Sequence, residues 1–155
     1  KKIIRQLGLP SIRMVENHHN FAWKEKLDDG TEVVVHRKGA TPAGKENIGI
    51  IPGSMAHHGF IVRGKGDASS LNSASHGAGR LLSRKKAVKT ISKTDMKAMI
   101  ERAGIDLIGG HVDEAPKVYK NIDQVMNYQK NLIEILAVFT PKIVRMAEPE
   151  KWKRP

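Results

Sequence analysis

The sequence Asn47-Ile48-Gly49-Ile50-Ile51-Pro52-Gly53-Ser54-Met55-Ala56-His57-His58-Gly59-Phe60-Ile61-Val62-Arg63 holds two short apolar runs with a small, polar segment between them. The first run ends at Pro52-Gly53, and the second opens on Gly59 and is followed by Gly64. Apolar segments of this length bounded by Gly and Pro read as strands, so residues 47–51 and 59–63 are two strands joined by the loop 52–58. Upstream, Glu32-Val33-Val34-Val35-His36 is a β-branched run behind the turn Asp28-Asp29-Gly30-Thr31, and it reads as a third strand. Downstream, residues 64–75 are small and polar and read as a loop.

From Gly79 onward the pattern becomes helical, with a helix-like stretch over 81–88 that sets basic residues beside Leu81-Leu82 and Ala87-Val88. Ser92-Lys93-Thr94-Asp95 carries the signature of an N-terminal cap, opening a helix through Met96, Met99 and Ile100 that Ala103-Gly104 ends. Ile122, Val125, Met126, Gln129, Leu132, Ile133, Leu136 and Phe139 fall at spacings of three and four. That spacing predicts one long core-facing helix over 122–139, stopped or bent at Pro141. Mixed sheet segments in the first half followed by helices argue an α+β fold, here a single domain over 1–155 with a basic tail over 147–155.

The 155 residues are enough to bury a sizeable core, which aliphatic residues and six methionines must fill because aromatics are few. Lys and Arg number 27 against 16 acidic residues, a formal net charge of +11. Such an excess suits a polyanionic partner, nucleic acid before membrane, since no segment approaches the length of a transmembrane helix. The charge gathers at Lys1-Lys2-Arg5, at Arg84, Lys85, Lys86, Lys89 and Lys93, and at Lys151-Trp152-Lys153-Arg154, each of which also reads as a solvated face. The chain has no cysteine, which removes disulfides and thiolate metal sites and is compatible with a reducing compartment; a cytoplasmic location is expected. It carries no visible secretory or transit signal and begins at Lys1, so it is expected to be the later part of a longer polypeptide.

Ser73-Ala74-Ser75-His76-Gly77-Ala78-Gly79-Arg80 sets one titratable imidazole among small residues. Bare backbone amides there suit a phosphate, Arg80 adds a fixed positive charge, and His76 is placed to attack or protonate a phosphoryl group. Read alone, the run is first of all a tight glycine turn before the helix-like stretch 81–88, since glycine-rich turns with a nearby histidine are common. Glu16-Asn17-His18-His19-Asn20 reads as surface or core histidines or as a metal ligand, and an extended backbone sends His18 and His19 opposite ways, leaving one of them to face a site. His57 and His58 sit beside Pro52-Gly53-Ser54-Met55, whose glycine amide and serine hydroxyl suit a phosphate or a base. His36 and His111, without supporting neighbours, read as structural. Asp113-Glu114 reads as an acidic pair or as a boundary set by Pro116. Tyr119 and Trp23 read as base-stacking or as core residues.

In order along the chain stand His18-His19-Asn20-Phe21-Ala22, His36-Arg37-Lys38-Gly39-Ala40-Thr41-Pro42-Ala43, Ile51-Pro52-Gly53-Ser54-Met55, Ser75-His76-Gly77-Ala78-Gly79-Arg80 with Ser83-Arg84, and Asp113-Glu114-Ala115-Pro116-Lys117-Val118-Tyr119-Lys120. With these five motifs in register the chain resembles the RtcB family of RNA ligases over nearly its whole length, matching the carboxyl-terminal portion of the family's chain. The resemblance implies part of the larger RtcB-type fold. It implies joining of RNA ends that carry a 2′,3′-cyclic phosphate or 3′-phosphate to 5′-hydroxyl ends, with GTP and manganese, and the N-terminal half of the same protein as a partner. It makes His76 the nucleophile that carries GMP. His19 becomes the manganese ligand and Asn20 a nucleotide contact. Pro52, Gly53, Ser54 and Met55 become one wall of the guanylate pocket, and Gly77, Ala78 and Gly79 the amides of the other. Tyr119 lies near the same pocket.

The chain departs from the family at two points. Gly59 stands where the family usually carries a serine, and Met146, beside Arg145, stands where counting from Tyr119 places a lysine. Arg is not interchangeable with Lys at such a position. Together with the basic clusters, these departures keep a second reading open: a non-ligating RNA-binding or RNA-end-sensing paralogue.

Overall fold

The computed structural model describes residues 2–8, 10 and 14–147. The basic tail therefore lies outside the described residues beyond Ala147. In chain order the elements are α1 (Lys2–Leu7), β1 (Asn20–Lys26), β2 (Glu32–Lys38), β3 (Ala40–Pro42), β4 (Ile48–Ile51), β5 (Gly59–Gly64) and β6 (Ser73–Ser75). There follow α2 (Arg84–Thr90), α3 (Lys93–Arg102), β7 (Asp106–Ile108), α4 (Ile122–Tyr128), β8 (Ile133–Phe139) and β9 (Ile143–Arg145). The fold is α+β, with strands after the helices as well as before them.

The two apolar runs are strands as the sequence predicts. β4 and β5 pair antiparallel from Ile48 opposite Arg63 to Ile51 opposite Phe60, and alternate residues of β4 are buried, as a strand with one packed face requires. β5 is central, because β8 pairs along its other edge with Gly59 opposite Phe139 and Gly64 opposite Ile133.

That pairing overturns the long helix expected over 122–139. α4 stops at Tyr128, Gln129 takes φ −112° and ψ 18°, and the chain turns before entering β8. The buried Gln129 holds the turn: its carbonyl accepts the N–H groups of Leu132 and Ile133 at 2.8 and 3.2 Å. Its side-chain Oε1 accepts the N–H of Ser75 at 2.8 Å, which ties the turn to β6. The run Ile133-Glu134-Ile135-Leu136-Ala137-Val138-Phe139 lacks a polar helical face and is rich in β-branched residues, so its pairing with β5 outweighs helical continuation.

The expected loop over 64–75 contains a 3₁₀ turn at Ala68–Ser70 and then β6, which pairs with β3. α2 begins three residues later than read, at Arg84, with Ser83 as its cap accepting from the N–H of Lys86. Leu81 and Leu82 instead give their N–H groups to the carbonyl of Val118. α3 is capped by Ser92, whose hydroxyl accepts the N–H of Asp95 at 3.0 Å, and closes at Ala103-Gly104 as predicted.

Two apolar clusters form the core. One gathers Ile51, Phe60, Val62, Ala74, Ile122, Met126 and Ile133; the other gathers Met55, Ala87, Ile91, Met96, Ile100, Val112 and Val118. Ile51 before the 52–58 loop is in the first and Met55 within it is in the second, so the loop is pinned from both sides. Burying each of the larger side chains among them is worth about 1.5–3 kcal/mol. Tyr119 packs against both clusters.

The hairpin of β1 and β2 is fastened by Arg37, whose side chain is 2% exposed. Its guanidinium donates to both oxygens of Glu25 across the hairpin at 2.5 and 3.0 Å, to Ser73 Oγ at 2.8 Å and to the Leu71 carbonyl at 2.7 Å, and lies over the Trp23 ring.

Candidate functional site

Gly39 organises the site. It follows β2 and precedes β3, with φ +76°, a left-handed conformation that glycine adopts without strain. Its N–H donates to the carbonyl of His19 at 3.1 Å, and its own carbonyl accepts the N–H of His76 at 3.4 Å. One residue thereby holds the backbones of both histidines, whose ring centroids stand 5.0 Å apart. His18 points elsewhere, with Phe21 and Trp23 as its ring neighbours, so the adjacent pair divides as the extended backbone predicts.

Around this pair opens a cleft of about 630 Å³. His19, Pro52, Gly53, Ser54, Met55, His76, Gly77, Ala78 and Gly79, all named from the sequence, line it together. Asn20 does not; its Oδ1 lies 3.3 Å from His36 Nε2 outside the lining. The glycines are there because the loops touch. A Cβ on Gly53 would meet the His58 carbonyl oxygen at 2.4 Å, and one on Gly77 would meet the Pro52 carbonyl at 3.2 Å. Among the described residues, the N–H groups of Gly77, Ala78 and Gly79 find no acceptor in the protein. Three consecutive amides without an acceptor, beside an imidazole, are donors of the kind an anion's oxygens take.

His76 is half-buried, and burial, reinforced by the charge of His19, lowers its pKa from the ordinary 6.5. The ring is thus neutral and nucleophilic at neutral pH. Ser54 Oγ and His57 Nδ1 are hydrogen-bonded at 2.6 Å on the opposite wall, while His58 turns away to pair with Asp123.

The sequence left Asp113 and Glu114 as an acidic pair or a boundary, and both descriptions hold. They lie in a 3₁₀ turn, Val112–Glu114, ahead of Pro116, and their carboxylates bind the cleft's arginines. Arg84 reaches Asp113 Oδ2 at 3.2 Å and Glu114 Oε1 at 3.1 Å; Arg80 reaches the same Glu114 oxygen at 3.2 Å and lies over the Tyr119 ring. Tyr119 Oη donates to Glu114 Oε2, and burial together with that hydrogen bond pushes its pKa up to about 12. His111, read as unsupported, pairs through Nδ1 with Asp113 at 2.8 Å.

Sequence reasoning missed the remaining wall: Phe139, Pro141 and Val144 line the cleft beside Met146. Nothing marked them, because they arrive only through β8 and β9. The Phe139 ring packs where a Cβ on Gly59 would stand, 2.5 Å from its Cζ.

A neutral imidazole, a second imidazole beside it, acceptor-less amides and two arginines share one cleft, a set of groups whose chemistry suits an anion such as a phosphoryl group. The profile of the tRNA-splicing ligase RtcB family matches residues 2–147. The RNA-splicing ligase RtcB of Escherichia coli K12 is 41% identical over 136 residues, covering 88% of this chain and 33% of the relative. The tRNA-splicing ligase RtcB of Methanococcus maripaludis is 39% identical over 129 residues (69% of this chain, 27% of the relative), and the RNA-splicing ligase RtcB of Mycobacterium tuberculosis 32% over 156 (86% and 36%). The chain belongs to the RtcB family. It spans about a third of the length of these relatives.

Proposed function

We propose that this chain is the nucleotide-carrying portion of an RtcB-type RNA ligase, with His76 as its catalytic residue. The observation that carries the reading is the neutral His76 ring in the same cleft as the acceptor-less amides of Gly77, Ala78 and Gly79. A ring nitrogen attacks the α-phosphorus of GTP, an N–P bond forms, the bond to the bridging oxygen of the β-phosphate breaks, and pyrophosphate leaves. The other ring nitrogen gives up its proton. The guanylyl group then passes to an RNA 3′-phosphate, itself supplied directly or by opening a 2′,3′-cyclic phosphate, and the 5′-hydroxyl of the second RNA displaces GMP. The amides of 77–79 and the Pro52-Gly53-Ser54-Met55 wall hold the guanylate, and the tight packing at Gly53 and Gly77 keeps that cradle free of side chains. Asn20, the residue after His19, contacts the nucleotide in this reading.

Manganese does not fit this chain alone. His19 is the donor that faces His76, and among the described residues no group of three His, Asp or Glu side chains is placed to hold a metal ion. The other ligands belong to polypeptide corresponding to the rest of the relatives' length, the N-terminal half of the protein in this proposal. β8 supports such a partner: six of its seven residues are exposed, Ile135, Leu136, Val138 and Phe139 among them, and its outer edge is unpaired among the described residues. The isolated chain is therefore inactive as a ligase, and the cytoplasmic setting belongs to the same proposal.

The test is to incubate the assembled protein with GTP radiolabelled at the α-phosphate and manganese. The expected result is an acid-labile, base-stable label on the protein that His76→Ala abolishes. A protein that never labels, or that labels as well with His76→Ala, refutes the assignment. The apolar wall of Phe139 against Gly59, with Met146 beside it, favours a second reading as an RNA-binding or end-sensing paralogue. That reading requires RNA binding that survives His76→Ala and yields no joined product.

A further inference from the structure

α2 is built against its own electrostatics. Arg84, Lys85 and Lys86 fill its first turn, which holds no acidic residue, although the partial positive charge at a helix N-terminus disfavours cations there. Lys85 and Lys89 stand four residues apart and Lys86 and Lys89 three apart, spacings at which like charges destabilise a helix. Ala87 is the buried residue of α2, so the three lysines are exposed. Among the described residues none of them has an ion-pair partner. The carboxylates packed closest, Asp113 and Glu114, are already held by Arg84, Arg80, His111 and Tyr119. Arg84, the first residue of α2 and itself paired, lines the cleft, so the unpaired charge of Lys85, Lys86 and Lys89 follows directly behind the rim of the site along the helix.

A surface that keeps unfavourable charge beside a functional cleft is where function overrides local stability. We propose that the exposed face of α2, Lys85, Lys86 and Lys89, is the landing surface for the backbone of single-stranded RNA whose end enters the cleft. The choice of RNA rests on the ligase reading; the surface itself does not depend on His76. An ammonium binds phosphate as a point charge, so the contact is sequence-independent. A membrane surface is a poor match, because a seven-residue helix whose apolar residues are Ala87 and Val88 has no face to insert.

The test uses the assembled protein and a fluorescein-labelled single-stranded RNA, with binding followed by anisotropy between 50 and 300 mM KCl. The variant is Lys85→Gln/Lys86→Gln/Lys89→Gln; the control, Lys24→Gln/Lys26→Gln/Lys130→Gln, removes the same charge from β1 and from the turn before β8. Three lost phosphate contacts on a single strand reduce the slope of log affinity against log salt by about 2, and affinity at 0.1 M salt falls by at least about tenfold. The control changes affinity less than about threefold. Because the lysines repel one another and the helix dipole, the α2 variant keeps or raises its Tm, by about 1–4 °C, which separates lost binding from lost folding. Equal losses in variant and control, or an α2 variant that binds as the parent chain does, overturn the proposal. So does tighter binding of the parent chain to phosphatidylserine vesicles than to RNA. An assembled protein that binds RNA through α2 yet never labels at His76 refutes the ligase reading and leaves this surface standing.

Discussion

Glu25→Gln is expected to destabilise the fold from outside the candidate site. Arg37 is buried and takes its countercharge from Glu25, whose side chain is 27% exposed. Removing one partner of a fully buried pair costs about 3–5 kcal/mol, because the remaining charge is stranded. Here the guanidinium keeps Ser73 Oγ, the Leu71 carbonyl and the Trp23 face, and the carboxylate edge is partly in water, which lowers the cost to about 2–3 kcal/mol. For a chain of this size that is a fall in Tm of about 4–12 °C. Arg37→Met/Glu25→Leu removes both charges and leaves none stranded, so it stays within about 1 kcal/mol of the parent. Urea unfolding followed by circular dichroism measures both. A Glu25→Gln variant within about 0.5 kcal/mol of the parent, or a double variant less stable than the single one, refutes the argument that Arg37 is a buried cation dependent on Glu25.

Gly53→Ala drives a methyl group against the His58 carbonyl and His57 Cβ, and is expected to cost about 1–3 kcal/mol in the same urea experiment; an unchanged midpoint shows that the loop yields. Tyr119 keeps its proton in the folded state up to about 12, so its contribution is complete below pH 10 and is lost as pH rises from 10 toward 12; Tyr119→Phe is expected to flatten that part of the stability profile, and ultraviolet titration reads the phenolate directly. The folded state lowers the pKa of His76, so its contribution is complete above pH 6.5 and is lost as pH falls from 6.5 toward the folded value. His76→Gln is expected to remove that acid-side loss, and a proton NMR titration of the ring that centres at or above 6.5 refutes the assignment.

The strands around the 52–58 loop were legible because Pro52, Gly53 and Gly59 punctuate runs of β-branched residues, and α3 because Ser92 and Gly104 mark its ends. The second half of the predicted 122–139 helix was not. The break at Gln129-Lys130-Asn131 carries neither Gly nor Pro, and Ile133, Leu136 and Phe139 continue the helical spacing by coincidence. What separates helix from strand there is the free edge of β5, more than sixty residues upstream, and no local pattern contains it. The cleft divides along the same line. Residues 52–55 and 76–79 announce themselves through their own small side chains, whereas Phe139 and Val144 join only through long-range pairing. The meeting of His19 with His76 was likewise invisible in composition, since it depends on the backbone bonds of Gly39.

Those bonds also set how far the chain can vary without harm. Gly39 fixes both imidazoles at the base of the β1–β2 hairpin, while the turn Asp28-Asp29-Gly30 lies at the far end of seven paired residues, about 20 Å away. Length changes at that tip leave the base of the hairpin in place. A dye, an affinity tag or a whole tethered module inserted between Asp29 and Gly30 therefore becomes a handle that leaves the cleft undisturbed, and a natural lineage can elaborate the same turn to gain a new partner while the two rings stay as they are.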